Sequence, residues 1–297
     1  MRLSKSNYLV DVPSSLLSKF FSTRILKELA QENGGKYFAS LLIQINLKKS
    51  LLNKLKVRDF YEEALDVLRC QDKHEYVYKN VLARKLLLGK HSLNTASMFF
   101  EFRAGDSKLD ALIINGSSHA YEIKTELDEL KRLPRQLQDY QKRFEHVWVL
   151  TNDRHVAGVM EITSDDIGIS VLNKKCQISV VRAAKKQHKY LDSAAIMSSL
   201  RRDEYIQIAK NFGFDDIGIP NTLIYSAASN FMARIKPIKV HEQMKRELKL
   251  RFWAEQVKIA EILPPPLTAA GLGLNISENK ALILSKNLNK KIGMLGV

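Results

Sequence analysis

The stretch EFRAGDSKLDALIINGSSHAYEIKTELDEL, residues 101–130, decides the fold. It continues an aromatic-rich run, SMFFEFR at 97–103, and holds two further short runs, KLDALII at 108–114 and HAYEIK at 119–124. Turn-forming residues separate the runs: Ala104-Gly105-Asp106-Ser107 and then Asn115-Gly116-Ser117-Ser118. Short runs bounded in this way read as strands of an antiparallel meander. Residues two apart on a strand share a face. Glu122 and Lys124 therefore project together, while Tyr121 and Ile123 point the other way.

Asp110 joins that face only under one register. A two-residue loop, Asn115-Gly116, pairs Asp110 with Tyr121 and puts it on the wrong side. A three-residue loop or a bulge sets Asp110 opposite Glu122, and Asn-Gly-Ser suits a three-residue loop with one left-handed residue. Several other acid-x-Lys spacings exist, such as Glu129/Lys131 and Glu247/Lys249. Only Glu122/Lys124 lies on a strand beside a second strand that carries an acid. The chemistry suits phosphodiester hydrolysis. Two carboxylates make a hard-oxygen site for Mg²⁺ or Mn²⁺, the metal activates water, and Lys124 orients that water or stabilises growing charge. The plainer alternative is a surface Asp and an exposed Glu–Lys strand face.

Outward from this centre the period changes. Residues 14–92 read as helical, with Leu16, Leu17, Phe20 and Phe21 continued by Ile25, Leu26 and Leu29 up to a stop at Asn33-Gly34-Gly35. Further helices are expected at 57–70 and 74–90, the latter with Gly89 as a stop. After the meander a helix is expected over about 130–144, with Pro134 near its start. HVWVLT, 146–151, reads as a buried strand, and two more strands are expected at 167–172 and 178–182. From 195 the chain reads as mostly helical, at 201–212, 222–235 and 241–262. Ser277 is placed to cap a last helix with Glu278 in its first turn. The expected division is a helical region at 1–73, a core at 74–183 and a mostly helical region at 195–297. A helix-turn-helix over 201–235, with Arg201, Arg202 and Lys210 on phosphate, is weighed against a plain helical subdomain, which is preferred.

Composition adds a partner class. The 297 residues hold 47 basic and 32 acidic side chains, a formal net charge of +15, which favours a polyanion. The excess is spread along the chain: residues 236–297 alone carry 11 Lys or Arg against 5 Asp or Glu. Cys70 and Cys176 are too few for a disulfide scaffold or a thiolate metal site, which fits a reducing cytoplasm. The N-terminal MRLSKSNYLVDVPSSLL does not read as a signal peptide, because Asp11 and Pro13 interrupt it. No apolar run approaches the length of a membrane span.

Asp110 followed by Glu122-Ile123-Lys124, on the second and third strands of an αβββαβ unit, resembles the PD-(D/E)XK phosphodiesterase superfamily over residues 74–151. The stretch 101–130 is also similar to the signature of a little-characterised bacterial family of such proteins with a helical C-terminal part. The proline usual before the first acid is absent, since Leu109 precedes Asp110. The resemblance implies an α/β fold: a restriction-endonuclease-like αβββαβ core with a mixed sheet, flanked by helical regions. It implies a cytoplasmic, Mg²⁺- or Mn²⁺-dependent nuclease, with DNA favoured over RNA, in phage defence or DNA processing, and a dimer is compatible with it. The alternative is a non-catalytic nucleic-acid-binding protein on the same fold. The resemblance also implies a glutamate on the first helix as a metal ligand beside Asp110 and Glu122. Glu75 fits that role, against the plainer reading of a helix N-terminal acid. Glu101 is its rival, although a solvent-facing strand acid is the preferred reading there. Gln136 and Tyr140, four apart on one helix face, resemble the QxxxY element of the RecB-type branch, which lies beside the metal site. The plainer reading is a Tyr in the core stripe and a Gln on its flank.

Overall fold

The computed structural model describes residues 8–71, 74–85, 96–251, 258–259, 261–274 and 276–295. It is a mixed α/β protein built on one six-stranded mixed sheet in the order β1-β2-β3-β4-β5-β6. The strands are β1 (Ser97–Ala104), β2 (Ser107–Asn115), β3 (Ser117–Ile123), β4 (His146–Thr151), β5 (Gly168–Leu172) and β6 (Ile178–Arg182). The first three form the expected antiparallel meander, β3, β4 and β5 run parallel, and β6 returns antiparallel. Parallel neighbours need crossovers. The chain supplies them with a helix over Leu133–Gln141 between β3 and β4 and a shorter one over Val156–Ile162 between β4 and β5.

In chain order the helices are α1 (Ser14–Leu17), α2 (Thr23–Leu29), α3 (Lys36–Ile45), α4 (Lys49–Leu52), α5 (Val57–Cys70) and α6 (Glu75–Leu82) before the sheet. The two crossovers are α7 and α8. There follow α9 (Ser193–Ser198), α10 (Arg202–Asn211), α11 (Ile224–Met232), α12 (Pro237–Arg251), α13 (Thr268–Leu272) and α14 (Glu278–Leu288). Among the described residues no helix is long and apolar enough to cross a membrane.

Several expected helices differ in detail. The first is broken at Ser22, whose extended backbone (φ −71°, ψ 145°) separates a 3₁₀ turn at Ser18–Phe21 from α2. The helix expected over 130–144 starts at Leu133, with Pro134 in the first turn where its missing N–H costs nothing. The helix expected over 74–90 is α6; Gly89 and residues 86–95 lie outside the described residues, as do 252–257 and 260 of the one expected over 241–262. Ser277 occupies the N-cap position of α14, but its side chain makes no capping bond. Residues 212–223 join α10 to α11, far longer than the roughly three- to four-residue turn of a helix-turn-helix. Lys210 there pairs with Asp216 at 2.8 Å and Arg202 donates to Asn221 at 2.9 Å, so both are engaged within the chain.

Two apolar layers sandwich the sheet. One joins Ala111, Ile113, Tyr121 and Ile123 to the N-terminal helices. The other joins Leu109, Leu112, Ala120 and Val149 to α7 and to α9–α12. The C-terminal segment is divided between them: α13 and α14 return to the first layer and pack on α2, α5 and α6. That return fixes α6. Tyr76 Oη donates to Pro266 O at 2.7 Å, Asn80 Nδ2 donates to Pro265 O at 3.2 Å, and Asn80 Oδ1 accepts from Ala269 N at 3.0 Å. Asn80 is fully buried, so these bonds replace its lost water and set the register of the helix that carries Glu75 and Lys79.

Candidate active site

The β2–β3 hairpin turns at Gly116. Its φ of 65° lies in the left-handed region, and the pairs Asn115↔Ser117 and Ile114↔Ser118 close around it. Asn115-Gly116-Ser117 is thus the tip, and the register runs on as Ala111↔Tyr121. The paired register ends there, and Asp110, the next residue of β2, reaches β3 through its side chain. Asp110 Oδ2 accepts from the Ile123 N–H at 2.7 Å, which ties the two strands together at the site.

Lys124 follows the last residue of β3, yet its N–H still donates to Leu150 O at 3.0 Å, so the strand direction persists. Lys124 and Glu122 form an ion pair, Nζ to Oε1 at 2.8 Å, and both are buried, at 6% and 2% exposure. A buried pair persists only when its remaining valences are satisfied. Helix α7 provides the partners. Gln136 Oε1 accepts from Lys124 Nζ at 3.0 Å, and Tyr140 Oη donates to Glu122 Oε2 at 2.6 Å. Gln136 and Tyr140 therefore face the site, not solvent. Burial, then the Glu122 charge and hydrogen bond, holds the Tyr140 phenol far above its ordinary range, so it is a permanent donor here.

The other acids approach from the first layer. Glu75, at the start of α6, Glu101 of β1 and Asp110 of β2 bring carboxylate oxygens within 4.8 Å of one another. Glu122 is not one of this trio; its oxygens are directed to Lys124 and Tyr140. The expected metal set of Glu75, Asp110 and Glu122 is thus arranged as a trio that includes Glu101, with Glu122 beside it. Glu101 keeps 43% side-chain exposure, as a solvent-facing strand acid would, but it also joins the trio. Its backbone explains why. Glu101 has φ 54°, uncommon for a non-glycine residue, and it is skipped in the β1–β2 pairing between Phe100↔Ala111 and Phe102↔Leu109. Strand alternation is interrupted there, so periodicity could not have placed this side chain.

Burial and the neighbouring carboxylates of Glu122 and Glu75 push the Asp110 carboxyl up to about 8, against the opposing pull of Lys79 and the Ile123 N–H. Negative charge is crowded here beyond what the nearby ammonium groups neutralise. A hard divalent cation with oxygen ligands suits that donor set: Glu75, Glu101 and Asp110 could hold it, with Glu122 adjacent.

A second cluster lies at the far end of β3 and had no sequence signal. Glu145, fully buried, accepts from the Ser118 N–H at 2.9 Å and pairs with Lys186 at 2.9 Å and Lys245 at 3.3 Å. His188 Nε2 lies 3.1 Å from it, and Ser118 Oγ lies 2.9 Å from His241 Nε2. Burial pushes the Glu145 carboxyl up, but the bonds from Lys186 and Ser118, with His241 and His188 nearby, outweigh it and bring it to about 2. His241, on α12, is lowered by burial to about 4.

The family described as Bacteriophage P4 protein cII matches residues 68–263, a span that contains every residue of the site above. Protein cII of Enterobacteria phage P4 is 24% identical over 150 residues, covering 50% of this chain and 55% of that protein. The chain thus matches about half the length of this curated relative. Among solved structures, a protein of unknown function from Silicibacter pomeroyi is similar at 14% identity over 48% of this chain and 94% of its own, with a TM-score of 0.31.

Proposed function

We propose that this chain, which belongs to the bacteriophage P4 protein cII family, is a metal-dependent nuclease of the PD-(D/E)XK kind with a restriction-endonuclease-like core. One observation carries the reading: Lys124 is clamped between Glu122 and Gln136, Glu122 between Lys124 and Tyr140, and Asp110 accepts from the N–H of Ile123, the residue between them. A chance strand face has no reason to satisfy each of these groups through the others. The net charge of +15 supports a polyanionic substrate, DNA before RNA.

Glu75, Glu101, Asp110 and Glu122 are the side chains that would hold Mg²⁺ or Mn²⁺. The ion would lower the pKa of a bound water and screen the phosphate. The remaining chemistry belongs to the chain. Lys124 places one fixed positive charge beside Glu122, where it can orient a water or face the charge that grows on the phosphoryl oxygens. Gln136 holds the Lys124 ammonium in place, and Tyr140 fixes the rotamer of Glu122.

The test is incubation with supercoiled plasmid, single-stranded DNA and RNA in Mg²⁺, Mn²⁺ or EDTA. DNA cleavage in either metal and none in EDTA is expected. A second reading, a nucleic-acid-binding protein with an unused site, draws on the burial of Glu122 and Lys124 and on their mutual neutralisation. Salt-sensitive binding without cleavage under any of these conditions would replace the first reading with the second.

A further inference from the structure

Lys79 lies one turn after Glu75 on α6, so the i,i+4 geometry brings its ammonium to the Glu75 carboxylate. The same Nζ pairs with Glu101 and lies 3.9 Å from Asp110 Oδ1. Three carboxylates from three elements thus meet one ammonium. The side chain is 12% exposed, so most of its hydration has been exchanged for these contacts. Tyr76 and Asn80 anchor the helix on both sides of Lys79, so the approach is set by the fold and not by a loose surface arm. Lys108 differs: among the described residues its ammonium pairs with Glu101 alone, at 2.6 Å, and its side chain is 64% exposed.

We propose that Lys79 is a resident counter-cation that competes with the divalent ion, filling the space among Glu75, Glu101 and Asp110 in the metal-free protein and swinging out when metal binds. This rests on the metal-dependent reading above. The physical ground is that the oxygens holding the ammonium are the hard donors a divalent cation needs. One centre cannot hold both cations, and like charges a few ångströms apart in a half-buried site repel strongly. The consequence is a site whose excess negative charge is partly offset in the absence of metal and whose apparent metal affinity is lowered by the competing ammonium. Lys124 has no such role, because it contacts Glu122 and Gln136 and none of the trio.

The experiment measures Mn²⁺ binding to the full chain without nucleic acid, from the electron paramagnetic resonance signal of free Mn²⁺. Lys79→Met should bind Mn²⁺ about tenfold more tightly than wild type, as loss of one adjacent positive charge implies. Lys79→Arg, which keeps the charge, should not gain affinity. Unchanged or weaker binding by Lys79→Met overturns the proposal. A wild-type measurement stands even if that variant fails to fold: amine-reactive labelling followed by peptide mass spectrometry. Lys79 should label faster in Mn²⁺ than in EDTA, and equal rates overturn the proposal. Neither measurement involves cleavage, so a chain that binds Mn²⁺ in this way and never cuts would fail only the nuclease reading.

Discussion

The two ends of β3 carry buried carboxylates in opposite electrostatic states. At its C-terminal end, Asp110 has Glu122 and Glu75 as neighbours and its carboxyl is pushed up to about 8. At its N-terminal end, Glu145 lies among Lys186, Lys245 and His188, with Glu242 the other acid nearby, and the Glu145 carboxyl is held at about 2. The strand is shared, while the helices differ: α6 and α7 at one end and α12 at the other. The difference is the ratio of acids to cations. A cluster that satisfies its own charge needs nothing from outside and serves to tie elements together: Glu145 joins β3 to α12 through Ser118, His241 and Lys245. A cluster left with excess negative charge is stable only beside a proton or a cation, and such imbalance concentrates at functional sites.

The largest expected effect falls on the self-satisfied cluster. Glu145→Ala leaves Lys245, 8% exposed, with only Glu242 and the Gly116 carbonyl. Removing one member of a buried pair costs about 3 kcal/mol or more. Urea unfolding should show that loss, with Mn²⁺ affinity unchanged in the folded protein. A loss below about 1 kcal/mol would erase the structural half of the contrast.

At the other end the loss should fall on rate. Lys124→Ala and Glu122→Gln should each lower DNA cleavage by about 100-fold or more. DNA binding should persist in both, because most of the basic surface remains. Wild type and both variants cutting equally would place the activity elsewhere.

The pH dependence of stability separates the two ends without any mutation. Glu145 is depressed from 4.5 to about 2 and His241 from 6.5 to about 4, so the unfolded chain binds more protons across these ranges. The contribution of these two groups to stability therefore rises with pH from about 2 to 6.5, opposed above pH 3.8 by Asp110. Asp110 is raised from 3.8 to about 8, so there the folded chain holds the extra proton and stability falls as pH rises through that window. Above pH 6.5 only the Asp110 contribution of these three remains, with a slope of at most about 1.4 kcal/mol per pH unit. Thermal melts from pH 6.5 to 8 should fall in EDTA and flatten in saturating Mg²⁺. A decline that Mg²⁺ leaves untouched would break the link between excess charge and metal.

Half of this contrast could be read from the chain itself. Asn115-Gly116-Ser117 signals a left-handed tip, which fixes the register that brings Asp110 to the Glu122 end of β3, and four-residue spacing puts Gln136 and Tyr140 on one face. Those relations are local. Glu145 meets Ser118, His241 and Lys245 across distant sequence, and no periodicity connects them. Glu101 enters the trio through a left-handed backbone at a non-glycine residue, where alternation fails. Lys79 reads as an ordinary helix lysine until β1 and β2 are placed against α6. The C-terminal helices show amphipathic patterns, but a pattern says only that a helix buries a face. It does not say that α12 packs on one side of the sheet while α13 and α14 return to the other.

The smallest expected effect tests how finely the charged end is tuned. Tyr140 touches Glu122 only through its phenol, Oη to Oε2 at 2.6 Å, and its ring is fully buried beside Leu137 and Phe144. Tyr140→Phe keeps that ring and removes the hydroxyl. Glu122 then loses the donor that fixes its rotamer, though Lys124 remains on its other oxygen. Loss of such a partner behind a metal-site residue costs on the order of tenfold in activity or metal affinity. Cleavage should therefore drop about tenfold through kcat, with KM for DNA unchanged, because the buried hydroxyl acts through Glu122. Stability should change by about 1 kcal/mol, as the one hydroxyl proton, which lies between Glu122 Oε2 and Lys108 O, is lost without a cavity. A variant with normal kcat but lowered stability would assign Tyr140 to the apolar layer alone and leave Lys124 as the sole group that orients Glu122.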